Sequence, residues 1–440
     1  MAFGTYPEST TIGTQTVTTK DLNKLIKQYL PYKLLFSEVE KRSYFIQKVN
    51  KKNGWKGGPM PIPFENGRAS SFRMGSLVKD TEITSNRYAK GFLNDYKELW
   101  GALKFYDHDL KRHDNLEQSF ITALLKEVPR FAESMKELLS KFLLNGPCIA
   151  KITDVANAAT GVIKVDRPEM LEIGQYFEFG AGVTIKKTGY VATINMNTNE
   201  VKIVTAMSDV DTVTNPVNLS AAPALIDGDE LRIKDGFDAD KQFTSLPDQL
   251  LSSANGGSVE LFGLPKVNYP FLQAYNHNGS NITATSILKP IFDAYGRTKV
   301  IGKMAMPTEI LMSYKNLMTA MNELELGTSA DSVGQKRQFT AGDSKVNAFG
   351  WTEINVSGVK GGLKLVGINE MRDDIMYGLD WRFIDLHSNG FVERVSDANG
   401  NEFYTVREES GYSYITDIRF FGELVVAMPS YQFVIHSIDY

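Results

Sequence analysis

The chain has 440 residues, 42% of them hydrophobic and 23% charged, an ordinary globular composition with length for roughly two to four domains and a large core. One cysteine, Cys148, excludes an intrachain disulfide framework. No run approaches the ~18 apolar residues of a membrane span, and the opening "MAFGTYPESTTIGTQTVTT" has neither the basic nor the apolar part of a secretory signal, so synthesis and folding in the cytosol are expected. The net charge of −4 hides an asymmetry: Lys20–Lys56 carries ten Lys/Arg against three Asp/Glu. That segment reads either as a basic arm meeting an acidic neighbour or nucleic acid, or as a solvated basic face.

Residues 1–20 are rich in Thr and Ser without periodicity and read as a flexible arm. Lys20–Tyr32 places Leu22, Leu25, Ile26 and Leu30 on one side of a short helix that Pro31 ends. Tyr44–Val49, "YFIQKV", reads as a strand. Then comes "GWKGGPMPIPFENGRASSFRMGS", Gly54–Ser76, with too many glycines and prolines for a helix and too few aliphatic residues to bury itself. Thr81–Leu110 brings the chain back in loosely periodic extended form, so the two runs read as a long two-stranded excursion.

Asp114–Gly146 is the clearest helix. Asp114 and Glu117 make a capping-box-like start. Leu116, Phe120, Leu124, Val128, Phe131, Met135, Leu138 and Phe142 form one apolar stripe, and Gly146 and Pro147 supply the stop. Its rise gives a rod of about 45 Å, which Pro129 is expected to kink or split. From Ile149 to Asp235 short β-rich runs punctuated by Gly, Asn and Asp predict a small barrel or sandwich, inserted because mixed pattern resumes afterwards.

"SLPDQLLSSANGG" predicts a helix with a glycine stop; "TATSILKPIFDAYGRT" a helix, "VIGKMAMP" a strand and "TEILMSYKNLMTAMNEL" a helix. "AFGWTEINVSG" and "GGLKLVGINEM" follow as strands. "FVERVSDANGNEFYTVREE" predicts two strands around a turn at Asp397–Gly400. The chain closes on strand pattern broken at Pro429.

No chemistry-bearing constellation emerges. The five histidines are scattered, with His108 and His113 on different helix faces. Asp397–Glu402 lacks the ligand series of a calcium loop, and Gly296–Met304 lacks the glycine spacing and the hydroxyl of a phosphate loop. Neither G-x-S-x-G nor G-x-G-x-x-G occurs. Cys148, with no His or second Cys nearby in sequence, reads as a buried bystander. Asp209/Asp211 and Asp373/Asp374 read as solvated loop carboxylates. The expectation is a structural protein with no catalytic residue, cofactor or metal.

The order of these elements resembles the major capsid proteins of tailed bacteriophages with the Hong Kong phage-type shell fold, over nearly the whole chain. "RASSFRMGSLVKDTEITSNRYAKGFLNDYKELWGALKFYDHDL" looks like the extended loop and its return, and "NLEQSFITALLKEVPRFAESMKELLSKFLLNG" like the spine helix. "SLPDQLLSSANGGSVELFGLPKVNYPFLQA" is similar to a stretch in the subset carrying a β-barrel insertion. "TATSILKPIFDAYGRTKVIGKMAMPTEILMSYKNL" looks like the axial domain, and "ITDIRFFGELVVAMPSYQFVIHSI" like the closing strands. The ordered series carries the resemblance; no single motif does.

The resemblance implies an α+β fold: N-terminal arm (1–49), extended loop (50–100), spine helix of the peripheral domain (101–148), inserted β-barrel (149–235), continued peripheral domain (236–282), axial domain (283–379), and peripheral strands with a closing axial strand (380–440). It implies hexamers and pentamers of an icosahedral shell enclosing double-stranded DNA, in a virion assembled in the host cytoplasm. A separate scaffolding protein, a portal, decoration proteins and non-specific contact with DNA are the implied partners, with no membrane. The chain departs from cleaved family members in lacking a long, charged, helical N-terminal segment, so no proteolytic processing is expected. The resemblance further implies that Gly54–Ser76 lies across a neighbouring subunit, with Trp55, Phe64, Arg68, Phe72, Arg73 and Lys79 as intersubunit contacts. A cellular nanocompartment shell protein of the same fold, and an enzyme on an unfamiliar mixed fold, are the rival readings.

Overall fold

The structure is a computed structural model that describes residues 9–12, 15–18, 24–25, 37, 39–55, 58–67, 87–94, 97–106, 116–157, 160–238, 240–280, 282, 287–301, 305–326, 346–347, 350–351, 353–356, 363–388, 390–394, 404–408 and 411–438. Most of the expected helix at 20–32, the Asp114 cap, His108, His113 and the turn at 397–400 lie outside them.

The first strands are β1 (Ser9–Ile12) and β2 (Gln15–Thr18), an antiparallel pair where a flexible arm was expected. Helix α1 (Tyr44–Lys48), β3 (Asn50–Asn53), β4 (Met60–Gly67), β5 (Arg87–Leu93), β6 (Lys97–Tyr106) and α2 (Leu116–Asn145) follow. Next come β7 (Ala150–Asn157), β8 (Val162–Val165), β9 (Tyr176–Ala181), β10 (Thr184–Asn195), β11 (Glu200–Val204), β12 (Glu230–Arg232) and α3 (Leu246–Leu250). Strands β13 (Glu260–Leu261), β14 (Leu264–Pro265) and β15 (Tyr275–Asn278) lead to α4 (Leu288–Ile301), β16 (Glu309–Met312) and α5 (Tyr314–Leu326). Strands β17 (Val346–Asn347), β18 (Gly350–Trp351), β19 (Glu353–Val356), β20 (Leu363–Gly367), β21 (Ile375–Leu379), β22 (Ile384–Ser388) and β23 (Val392–Arg394) come next. The last are β24 (Tyr404–Glu408), β25 (Gly411–Val426) and β26 (Phe433–His436). The fold is therefore α+β.

The chain divides into two compact units: Met1–Gly58, Asp95–Ser140 and Leu386–Glu423 form one, and Pro59–Asn94, Lys141–Asp385 and Leu424–Tyr440 the other.

One sheet runs β23–β25–β22–β3, with β24 and β6 also paired to β25. Strand β6 alternates: Leu99, Leu103 and Phe105 are buried, while Trp100 and Ala102 are exposed, as a half-buried strand requires. Its Gly101 lets the backbone meet helix α2 closely; a Cβ there would lie 2.8 Å from the Phe131 ring. On α2, Val128, Ala132, Met135 and Leu139 are buried at steps of four and three. Leu138, expected on the stripe, is half-buried and stands beside it. Pro129 does not split the helix, which is continuous from Leu116 to Asn145.

In the second unit, six antiparallel strands close into a barrel in the order β10–β11–β8–β7–β12–β9. Ile163, Val165, Phe177, Phe179, Val201 and Ile203 fill it. Closure leaves no unpaired edge. A mixed sheet runs β15–β26–β21–β16–β20–β19, with β15–β26 and β16–β20 parallel. Ile287, Ile291 and Ala294, at and along the start of α4, join Leu317 and Ala320 of α5 and Ile310, Leu365, Met376 and Phe433 of the sheet in one core.

Three local expectations are corrected. Tyr44–Lys48 is a helix, not a strand: Ser43 caps it, its hydroxyl accepting from the Ile46 amide at 3.2 Å, and Phe45 and Ile46 point inward. The strand expected at "VIGKMAMP" lies later, at Glu309–Met312, and α4 extends to Ile301. All four residues of β16 are buried because it is central and covered on both faces, so alternation, the usual strand signal, is missing. Finally, β23 and β24 do not pair as a hairpin; both run antiparallel to β25, which offers length for the two of them.

Candidate functional site

The expected contact residues divide. Arg68, Phe72, Arg73 and Lys79 lie outside the described residues. Trp55 and Phe64, expected at a subunit contact, are buried within their own fold. Trp55 is buried, its indole N–H donating to the Gly58 carbonyl at 2.9 Å, while the backbone N–H groups of Gly54 and Trp55 donate to the Ser388 carbonyl at 3.0 and 3.3 Å.

Phe64 is fully buried and Ile62, two residues before it, is buried, whereas Pro61 and Pro63, which alternate with them, are exposed. Its ring stacks on Phe262 (centroids 6.1 Å, 16° between planes) and lies 6.0 Å from Phe271, which in turn meets Tyr269 edge-on. Phe64 opposes Ala89, and Ile62 opposes Gly91, on the returning strand. A Cβ on Gly91 would fall 2.8 Å from the Phe64 ring and 3.0 Å from Phe262, so glycine is required for this close approach. The stretch packs against the loop around Phe262 and Phe271 of its own chain, and this aromatic cluster is the root of the β4–β5 excursion.

The outer edge of that excursion is also explained. Phe92 opposes Pro61, and its N–H turns away from β4 to donate to the Phe262 carbonyl at 2.9 Å. Pro61↔Phe92 is then a non-hydrogen-bonded pair. Pro63, two residues on, has the same orientation. Their missing N–H groups face outward and cost no ladder bond. An outer edge without donors at alternate positions resists the addition of another strand.

Two aromatic side chains stand out in place of those expected. Phe92 is 46% exposed on the outer face of β5, and Trp100 is 52% exposed on β6. Trp100 lies directly opposite Arg419 of β25, and Arg419 lies opposite Glu393 of β23. The Arg419 guanidinium stands 5.8 Å from the Trp100 ring centre and donates to Glu98 at 2.8 Å and Glu393 at 2.7 Å; the Trp100 indole donates to Glu98 at 3.0 Å. The row is a fixed aromatic and charged surface rather than a loose side-chain fringe. The signal in "ELWGALKFY" is partial: Leu99, Leu103 and Phe105 recur at even steps on one face, which puts Glu98, Trp100 and Ala102 on the other.

Cys148 is buried, its thiol donating to the Ala150 carbonyl at 3.4 Å, and burial pushes the thiol pKa up, away from the reactive thiolate. His277 and His436, distant in sequence, lie on the paired strands β15 and β26. Among the described residues no three His, Cys, Asp or Glu side chains are grouped as a metal site requires, and no helix is long and apolar enough to cross a membrane.

No protein-family model and no curated protein matches the chain. Among solved structures it is similar to the capsid asymmetric unit of cyanophage A-1(L), 12% identical over 89% of this chain and 90% of that one, with a TM-score of 0.44. A structure of Gordonia phage Cozz is 11% identical over 90% and 86% of the two chains, with a TM-score of 0.40. The capsid of a native GTA particle is 7% identical over 91% of each, with a TM-score of 0.41.

Proposed function

We propose that the chain is a major capsid protein of a tailed bacteriophage, assembling through hexamers and pentamers into an icosahedral shell around double-stranded DNA. The observation that carries this reading is the order of its parts: a rooted two-stranded excursion (β4–β5), a thirty-residue helix (α2), a closed barrel, then a mixed sheet with two helices. That series is the one the family resemblance implies. On this reading the chain is a structural protein rather than an enzyme. Its partners are further copies of itself, a separate scaffolding protein, a portal, decoration proteins and packaged DNA, and its location is the virion capsid, after synthesis in the host cytoplasm. Arg68, Phe72, Arg73 and Lys79 are proposed contacts between subunits, and the exposed Phe92 and Trp100 are added to them.

Exposed aromatic and arginine side chains are the residue types that anchor interfaces, and repeated head-to-tail contacts close into rings. The test is sedimentation and electron microscopy of the purified full-length chain, alone and with its co-expressed scaffolding protein. Closed shells of uniform size support the reading; a chain that stays monomeric under both conditions overturns it. Packaged nucleic acid separates a phage shell from a cellular nanocompartment shell, the second reading.

A further inference from the structure

A cleft of about 490 Å³ opens within the second unit, where the end of α2, the root of the barrel and the ends of β21 and β26 converge. The volume is in the range of small-molecule sites. Its lining is polar and charged, and the carboxylates in and beside it are already engaged. Glu230 accepts from Arg232 at 2.9 Å, and Asp374 accepts from Arg372 at 2.7 Å. Asp248 accepts from the Ser245 amide at 2.9 Å and hydroxyl at 2.6 Å. Asp166, bonded to the Lys151 amide at 2.6 Å, accepts from Arg167 at 3.0 Å.

The donors are not all spent. Arg232 engages all three guanidinium nitrogens, its Nη1 reaching the Gly236 carbonyl at 3.0 Å. Arg372 uses Nε and Nη2 on Asp374 and leaves Nη1 without a partner among the described residues. Lys151 lines the cleft half-buried, opposite Glu230 on the neighbouring strand, and its ammonium makes no ion pair or hydrogen bond among the described residues. Arg167 is 8% exposed, and its Nη2 is buried with no hydrogen-bond partner. Its charge acts on both Cys148 and Asp374 of the cleft. A buried donor left unpaired is costly, and native proteins rarely keep one without an ion or water to meet it. The unmet demand of this cleft is for acceptors.

We propose that the cleft binds a small oxyanion, the carboxylate or phosphate group of a small molecule, with Lys151 as its ionic anchor and Arg372 Nη1 as a second donor. Arg372 is neutralised by Asp374, so it contributes a hydrogen bond more than charge, and Arg167 adds the field that it exerts on Cys148 and Asp374. The carboxylates make the site selective: a cation finds Glu230 and Asp374 already paired with arginine and Asp248 already held by Ser245. The proposal does not rest on the capsid reading.

The experiment is isothermal titration of the full-length chain with inorganic phosphate and, separately, with citrate, at constant ionic strength against chloride. Binding of phosphate, of citrate or of both supports the site and identifies which source suits it. Lys151→Gln is expected to weaken that binding about tenfold or more, the loss of one charge-assisted contact. Lys151→Arg should keep it, as should Lys52→Gln, a change on an exposed residue of the other unit. Circular dichroism checks the fold of each variant, and phosphate NMR line broadening with the wild-type chain decides the matter if Lys151→Gln fails to fold. No binding beyond chloride, or equal binding by wild type and Lys151→Gln, overturns the proposal.

Discussion

The phenol of Tyr377 donates a hydrogen bond of 2.9 Å to the carbonyl of Leu144, joining positions 233 residues apart. Leu144 is in the last turn of α2, where carbonyls have no partner within the helix. Asn145 adds to the same lock: its amide donates to the Glu370 carbonyl at 2.5 Å and its oxygen accepts from the Arg372 amide at 3.2 Å. Gly146, at φ +85°, then turns the chain out of the helix. The mixed sheet thus fixes the end of the long helix at the point where the barrel begins.

Tyr377 is fully buried, so Tyr377→Phe keeps the packing and removes only the hydroxyl. It is expected to destabilise the subunit by about 1–3 kcal/mol, the cost of an unpaired buried carbonyl. Urea denaturation measures this, and a change below about 0.5 kcal/mol would show that the helix end is satisfied in another way.

The buried line of α2 runs through Met135 and Leu139, with Leu138 to one side. Met135→Asp and Leu139→Asp are expected to prevent folding, because an unpaired charge in a core costs several kcal/mol or more. Leu138→Asp should be milder. Soluble yield and circular dichroism of the three variants give the order; a Leu139→Asp chain as stable as Leu138→Asp would mean that the stripe is misplaced.

Phe64 and Phe92 should behave in opposite ways. Phe64→Ala empties the aromatic root and is expected to cost about 3–5 kcal/mol of subunit stability, and Gly91→Ala should also destabilise through its clash with the Phe64 ring. Phe92→Ala, on the exposed face, should leave the melting temperature nearly unchanged while reducing shell yield. Thermal melts beside sedimentation separate the two, and normal shells from Phe92→Ala would remove that residue from the proposed interface.

Lys266 is buried, and its ammonium donates to the carbonyls of Asp248 and Leu251 at 2.6 and 2.9 Å. Burial pushes its pKa down from 10.5 to about 8, with the Asp248 charge opposing. An amine that binds its proton more weakly when folded takes one up on unfolding between those two values. Stability should therefore rise as pH climbs from about 8 to 10.5, by at most about 1.4 kcal/mol per pH unit. Lys266→Met should remove this component of the slope. Denaturation curves across the window test it, and an identical slope in the variant would assign the titration elsewhere.

The barrel strands all pair with one another and close without an edge. A fragment of residues 149–235 is expected to fold alone. A dispersed amide NMR spectrum checks this; a collapsed one would mean that the barrel depends on the rest of its unit.

Features that depend on local periodicity and punctuation are legible in the chain alone. Apolar steps of three and four and a terminal glycine placed α2 within two residues of its observed ends, because a long amphipathic helix writes its buried face into its own spacing. Short alternating runs between turn residues announced a small β unit, barrel or sandwich, for the same reason, and the strand pairing made it a barrel. Where a residue's surroundings come from distant chain, packing in three dimensions sets the outcome. Phe64 faces inward because Phe262 and Phe271, some two hundred positions away, meet it there, and no nearby residue encodes that meeting. Strand β16 has no alternation because neighbours cover both its faces. The five residues of α1 follow a serine cap that their strand-like composition conceals. The cleft donors Lys151, Arg167 and Arg372 form a constellation only after a helix end, a barrel root and a sheet have converged.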